Sequence, residues 1–145
     1  MISIVIPIFN EEGNICKLAE SITKNLSEIN YEVLFINDGS TDSSEKKIQA
    51  VIKKYSNFKL INLRRNYGQT AAMQAGFDHS IGEIIIPMDG DLQNDPKDIP
   101  MLIDKINEGY DVVSGWRKNR FDKKYTRILP SKIANMLISK ISGIH

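Results

Sequence analysis

The 145-residue chain has one cysteine, one tryptophan and two histidines, and each scarcity removes a class of protein. Cys16 alone makes no internal disulfide, and no Cys/His cluster stands at zinc-ligand spacing, so a disulfide scaffold and a structural zinc site are both excluded. Apolar runs such as Ile84–Ile86 fall far short of the roughly 20 residues that a membrane-spanning helix needs. The amino terminus opens directly into a strand pattern, so neither a signal peptide nor a transmembrane segment is expected. There is no G-x-G-x-x-G after the first strand and no G-x-x-x-x-G-K-[ST], which removes the dinucleotide fingerprint and the P-loop. There is no G-x-S-x-G elbow either, and His79 and His145 fall at a helix end and at the last position. His79 reads as a helix C-terminal cation rather than a catalyst.

What remains is a chain with 41% hydrophobic and 26% charged residues, which excludes disorder and suits one globular core. Its near-neutral charge hides a polarity. Residues 1–116 carry 11 basic and 17 acidic side chains, whereas residues 117–145 carry 8 and 1. This division predicts a core over 1–116 and a basic, amphipathic segment over 117–145. Such a segment fits an anionic surface such as phospholipid, a lipid phosphate or nucleic acid, or else a solvated helix face.

Hydrophobic periodicity alternates between two kinds of segment. Ile2–Pro7 reads as a strand, followed by a polar loop and by Ile15, Leu18, Ala19, Ile22 and Leu26 at helical spacing. Tyr31–Ile36 is a second strand, with Ile48, Val51, Ile52 and Tyr55 on the next helix face. Lys59–Leu63 precedes an Ala-rich helix over Thr70–His79, and Glu83–Met88 precedes a helix with Pro96 at its first position. Asp111–Gly115 is read as a fifth strand. The pattern predicts a Rossmann-like α/β fold, a mostly parallel central sheet flanked by helices. Ligands bind such sheets at the carboxyl ends of the strands, where the loops Phe9–Asn14, Asn37–Asp42, Arg65–Gln69 and Asp89–Asp95 all fall.

Asp89 and Asp91 flank Gly90, and two hard carboxylates with open positions suit Mg²⁺ or Mn²⁺ bridged to a diphosphate. Gly90 permits close approach of backbone and ligand. The alternative is a surface turn whose aspartates cap the helix at Pro96. Asp38 is a candidate acceptor for a nucleobase or ribose, or a turn residue with Gly39, while Asp42 or Ser43 suits an N-cap. In the first loop, Pro7, Phe9 and Glu11 place an aromatic ring and a carboxylate at the same rim.

Taken in order, Ile4-Val-Ile-Pro-Ile-Phe-Asn-Glu-Glu12, Asn37-Asp-Gly-Ser-Thr-Asp42, Arg65-Asn-Tyr-Gly68 and Met88-Asp-Gly-Asp-Leu-Gln93 resemble glycosyltransferase family 2, with its GT-A fold. Asp91-Leu-Gln93 with Pro96, and Gly115-Trp-Arg117 further on, are similar to its polyprenyl-phosphate glycosyltransferases, the group of dolichol-phosphate mannose synthases and bactoprenol glucosyltransferases. The resemblance implies that Pro7, Phe9, Glu11 and Asp38 hold base and ribose, and that the Asn66–Gly68 turn closes over the nucleotide. It places Met88 and Gly90 beside the donor, and Asp89, Asp91 and Gln93 at a divalent metal and the diphosphate. Arg117, Arg127 and Ser131 match positions that receive the acceptor's lipid phosphate, a task suited to the guanidinium fork. The apolar stripe Ile133, Ala134, Leu137, Ile138 and Ile141 either lies on a membrane or packs on the protein.

The expectation is therefore a metal-dependent inverting enzyme that moves a hexose from a UDP- or GDP-sugar to polyprenyl phosphate at the cytoplasmic membrane face, in cell-surface glycan synthesis. Members of the group continue beyond the motif set found here, so the chain is expected to be part of a longer, membrane-anchored protein, with the general base beyond residue 145. A saccharide hydroxyl acceptor is the alternative within the family. A non-catalytic nucleotide- or metal-binding module is the alternative outside it, and nucleic acid is not an expected partner.

Overall fold

The computed structural model describes residues 1–115, of which Met1–Val113 form one compact unit. Strands β1 (Ile2–Ile8), β2 (Tyr31–Asn37), β3 (Phe58–Asn62) and β4 (Ile84–Pro87) make one sheet in the order β3-β2-β1-β4, and every pairing is parallel. Helices α1 (Ile15–Asn25), α2 (Ser44–Lys54) and α3 (Gln69–His79) provide the crossovers, and a 3-10 turn at Pro96–Asp98 leads into α4 (Ile99–Asn107). The expected α/β architecture is observed, with boundaries shifted by one or two residues.

Strand alternation divides the core. Ile2, Ile4, Ile6 and Ile8 of β1 and Tyr31, Val33 and Phe35 of β2 pack with Ile15, Leu18, Ile22, Ile48 and Val51 of α1 and α2. Phe58 centres an aromatic group there, with ring centroids 5.3 Å from Tyr55, 5.9 Å from Phe35 and 6.4 Å from Tyr31. The opposite face is thinner, with Val5, Leu34 and Ile36 against Ala72 of α3. Gly76 makes that packing possible, because a Cβ there would strike the Val5 side chain.

The fifth expected strand is not formed. Asp111–Gly115 is irregular, and Val112 is 84% exposed. A run with two valines between Asp111 and Ser114 has too little apolar surface to hold a ladder by itself. Pro96 does occupy a first helical position, and Asp95 Oδ1 accepts the Lys97 N–H as its cap.

Pro7 lies in a central strand, a position that normally needs its N–H. The β1–β4 ladder ends at Val5↔Pro87, one step beyond which the Met88 N–H donates to the Val5 carbonyl. Pro7 shares the parity of Val5, so its missing N–H faces the side where the ladder has already ended. The two strands are thus unpaired beyond this point.

At the amino end of the sheet, a buried carboxylate ties three segments together. Glu32 accepts from Ser3 Oγ (2.6 Å), the Ile81 N–H (2.9 Å) and Lys59 Nζ (2.8 Å), and Ser3 Oγ accepts the Gly82 N–H at 2.8 Å. Burial alone raises the Glu32 pKa, but the hydrogen bonds from Lys59, Ser3 and Ile81 outweigh it and hold the carboxyl below its ordinary value of 4.5. A lowered folded-state pKa stabilises the fold fully above the ordinary glutamate range, and that contribution is lost as pH falls through the lowered value. Glu32→Ala is expected to cost about 2 kcal/mol at pH 7 by stranding buried donors. In urea titrations, Glu32→Gln should flatten the loss of stability between neutral pH and pH 3.

Candidate functional site

In a sheet of order β3-β2-β1-β4 the crossovers turn in opposite directions from β1, so the carboxyl ends of β1 and β4 form the switch point at which α/β sheets bind ligands. A cleft of about 430 Å³ opens there, lined by Pro7 and Ile8 at the end of β1, Phe9 and Glu11 after it, Asp38 after β2, Asn66, Gly68 and Gln69 before and at the start of α3, and Asp89 and Asp91 after β4. Eight positions predicted from the sequence thus share one cavity: Pro7, Phe9, Glu11, Asp38, Asn66, Gly68, Asp89 and Asp91. Met88 and Gly90 are buried behind it, with Gly90 against the Ile8 side chain. Gln93 is exposed in the same loop and does not line the cleft. Arg117, Arg127 and Ser131 lie outside the described residues, as does the 131–141 stripe.

The first two loops hold each other through reciprocal bonds. Asn10 Oδ1 accepts the Thr41 N–H at 2.8 Å and the Asp42 N–H at 3.3 Å, and the Asn10 N–H donates to Ser40 Oγ. Glu12 ties the same two loops together through Asp42 and Ser43. The Glu12 N–H donates to Asp42 Oδ2, while Glu12 Oε2 accepts the Ser43 N–H. The Glu11 N–H reaches the buried Ser44 Oγ at 2.9 Å, and Asn14 Nδ2 donates to Glu11 Oε2 at 2.6 Å. Asn10 has φ 57°, a conformation that asparagine tolerates better than most residues. The slight burial of Asp42 raises its pKa, but hydrogen bonds from Ser44 and from the Glu12 N–H outweigh this and hold its carboxyl below the usual value.

Asp38 is 3% exposed, and its two oxygens accept the N–H groups of Tyr67 (2.8 Å) and Gly68 (2.9 Å). This carboxylate therefore fastens the third loop to the second, in addition to facing the cleft. Beside it, Gly39 has φ +65°, and a Cβ would meet the Arg65 carbonyl carbon and, at 2.5 Å, the Asn66 nitrogen. Above the turn, the Arg65 guanidinium sits 4.9 Å from the centroid of the exposed Tyr67 ring. Phe9 is the second exposed aromatic at this rim.

The two aspartates after β4 are not caps for the helix at Pro96, because Asp95 fills that position. Asp89 Oδ1 accepts from Gln69 Nε2 at 2.8 Å, and Asp91 Oδ1 accepts the Gln93 N–H at 3.0 Å. The second oxygen of each has no protein partner among the described residues. No group of three or more His, Cys, Asp and Glu side chains that could hold a metal ion occurs among the described residues. Two carboxylates with open positions are nevertheless the donor set that Mg²⁺-type ions take when phosphate and water complete the shell. The cleft lining also has four carboxylates and no Lys or Arg among the described residues. An anionic ligand entering it would meet like charge from this part of the lining, which a cation would offset. Sequence reasoning missed Ile8 and Gln69 as lining residues and Asn10 as the staple.

A cleft at the switch point of a parallel sheet defines an α/β ligand-binding domain. The chain belongs to glycosyl transferase family 2, whose model matches residues 3–144. It is 42% identical over 147 residues to the dodecaprenyl-phosphate galacturonate synthase of Rhizobium johnstonii, covering 99% of this chain and 44% of that protein. It is 40% identical over 148 residues to the undecaprenyl-phosphate 4-deoxy-4-formamido-L-arabinose transferase of Aeromonas hydrophila, covering 100% of this chain and 45% of the relative. The chain thus spans less than half the length of these relatives. Among solved structures, the fold matches a mycobacterial protein with TM-score 0.71 at 21% identity, covering 99% of this chain and 47% of that one. It matches Staphylococcus aureus TarS 1-349 in complex with UDP-GlcNAc with TM-score 0.67 at 21% identity, over 87% and 38% of the two chains. It also matches a Mycobacterium tuberculosis glucosyl-3-phosphoglycerate synthase in complex with Mn²⁺, UDP and glucosyl-3-phosphoglycerate, with TM-score 0.61 at 23% identity, over 73% and 39%. The fold is the GT-A fold.

Gly39→Ala forces an alanine into left-handed backbone against Arg65 and Asn66. It is expected to lower stability by about 2 kcal/mol or more, read as a shift of the urea midpoint.

Proposed function

We propose that the chain is the donor-binding part of a metal-dependent, inverting glycosyltransferase that moves a sugar from a nucleoside-diphosphate sugar to polyprenyl phosphate. The observation that carries this reading is the convergence of all four strand-end loops on one acidic cleft, with Asp89 and Asp91 each offering an unengaged oxygen. The named relatives support the acceptor class, since both act, by name, with a polyprenyl phosphate. One is named for a hexuronate and the other for a modified pentose, so the donor sugar is broader than the hexose expected above.

In this reading Phe9 and the Asn66–Gly68 turn enclose the nucleotide, and Pro7, Glu11 and Asp38 border its base and ribose. Asp89 and Asp91 would hold a divalent cation, with Gln93 beside them, and the bound cation would offset charge on the departing diphosphate. An acceptor phosphate oxygen attacks the anomeric carbon from the side opposite the leaving group. The new C–O bond forms as the bond to the nucleoside diphosphate breaks, and the configuration inverts. A phosphate acceptor is already ionised at neutral pH, which lessens the need for a base. Residues 1–116 form the donor core, while Arg117, Arg127, Ser131 and the basic segment 117–145 serve the lipid phosphate at the cytoplasmic membrane face.

Calorimetric titration of the chain with UDP, GDP and UDP-glucose, with and without Mn²⁺, tests the reading. Metal-dependent binding of one nucleotide is the expected result. Asp91→Asn should weaken it at least about tenfold, and wild-type affinity in Asp91→Asn would remove that residue from the site. In the full-length enzyme, Arg117→Ala should spare donor binding and raise KM for the lipid phosphate.

A further inference from the structure

We propose that Gln69 is a positioning residue for Asp89, engaging one carboxylate oxygen so that the other is left for a divalent cation in the cleft. The inference rests on the cation-holding role proposed above for Asp89. Gln69 Nε2 donates to Asp89 Oδ1 at 2.8 Å, and both residues line the cleft. Twenty positions separate them in sequence, so no local helix geometry accounts for the contact. Gln74, on the same helix, shows the ordinary case, donating to Asp78 Oδ1 one turn away and outside the cleft.

Both ends of the contact are anchored. Gln69 opens α3 directly after Gly68, whose N–H is held by Asp38 at 2.9 Å. Asp89 is fixed at its backbone, where the N–H donates to Asn94 Oδ1 at 3.2 Å. A carboxylate held at its main chain and at one oxygen has little torsional freedom left for the other, which is how outer partners orient metal ligands. Asp91 likewise has one oxygen engaged, its Oδ1 accepting the Gln93 N–H. A neutral amide suits this position because it donates to the aspartate without adding a positive charge that would compete with the cation. A lysine there would make the same bond and repel the ion.

The test is calorimetric titration of Mn²⁺ with UDP onto the 145-residue chain and its Gln69→Met, Gln69→Ala, Gln74→Met and Asp89→Asn variants. UDP binding without Mn²⁺ is read separately by NMR. Both Gln69 variants should weaken Mn²⁺-dependent binding about tenfold, with metal-free UDP binding and melting temperature unchanged, and Gln74→Met should match wild type. If the Gln69 variants bind Mn²⁺ as wild type does while Asp89→Asn does not, the inference is overturned and the cleft reading stands. A loss matched by a fall in melting temperature in both Gln69 variants assigns the residue to the fold and also overturns it. If wild type itself shows no Mn²⁺-dependent binding, the cleft reading fails and takes the inference with it.

Discussion

A carboxylate removed from water must find hydrogen-bond donors, and Asp38 finds them in two consecutive backbone N–H groups of another loop. That requirement sets the geometry around it. The Arg65–Gly68 turn has to fold over the end of β2, which leaves no room for a side chain at position 39 and starts α3 at a defined point. Because the β2–α2 loop is also stapled to the β1–α1 loop through Asn10, Glu12 and Asp42, the first three strand-end loops form one polar assembly. The fourth loop joins it through the bond between Gln69 and Asp89. The shape of the cleft therefore follows from polar groups that must be satisfied, since apolar packing is concentrated beneath it in the sheet.

The two ends of the sheet divide the work. At the amino end, Ser3, Glu32, Lys59 and the Ile81–Gly82 backbone form a network of mutually satisfied hydrogen bonds, a stabilising arrangement. At the carboxyl end, pairing is incomplete. Pro7 stands where the β1–β4 ladder has stopped, and the strands part at the point where the strand order reverses. Stability gathered at one end permits unpaired acidic oxygens at the other, the usual division in α/β domains whose sites sit outside the strand ends.

Much of this was legible in the residues. The alternation of β-branched runs with helical stripes specified the parallel sheet, because buried parallel strands and amphipathic helices have different periods. Polar loops at four successive strand ends pointed to one rim, and eight of the named positions do line one cleft. Partnership was not legible. Asp38 read as a ligand contact or a turn residue, and nothing in Asn37-Asp-Gly-Ser-Thr-Asp42 announces that its oxygens hold a turn 29 residues away. Gln69 carried no signal, since a glutamine at a helix start is ordinary until the fold brings Asp89 beside it. Asn10 was readable in principle, as an asparagine after a strand often adopts left-handed backbone. The fifth strand was misread because two valines satisfy a β pattern without supplying a partner strand.

The charge of the cleft is the strongest physical link between this architecture and its proposed chemistry. Glu11, Asp38, Asp89 and Asp91 face one space, and no Lys or Arg lines it among the described residues. Asp38 is compensated by two N–H groups and Glu11 by Asn14, whereas Asp89 and Asp91 each retain an oxygen without a protein partner among the described residues. A site built to bind a diphosphate through the protein alone would place guanidinium or ammonium groups here, as phosphate recognition generally does. An acidic lining does the reverse. In the proposed reading, this part of the lining would disfavour a bare diphosphate and favour a cation, which Asp89 and Asp91 would hold and which would offset the charge of the ligand. In that reading Asp89 and Asp91 each keep an open oxygen among the described residues, so most of a bound ion's coordination would fall to the ligand and water, and affinity for either component would depend on the presence of the other.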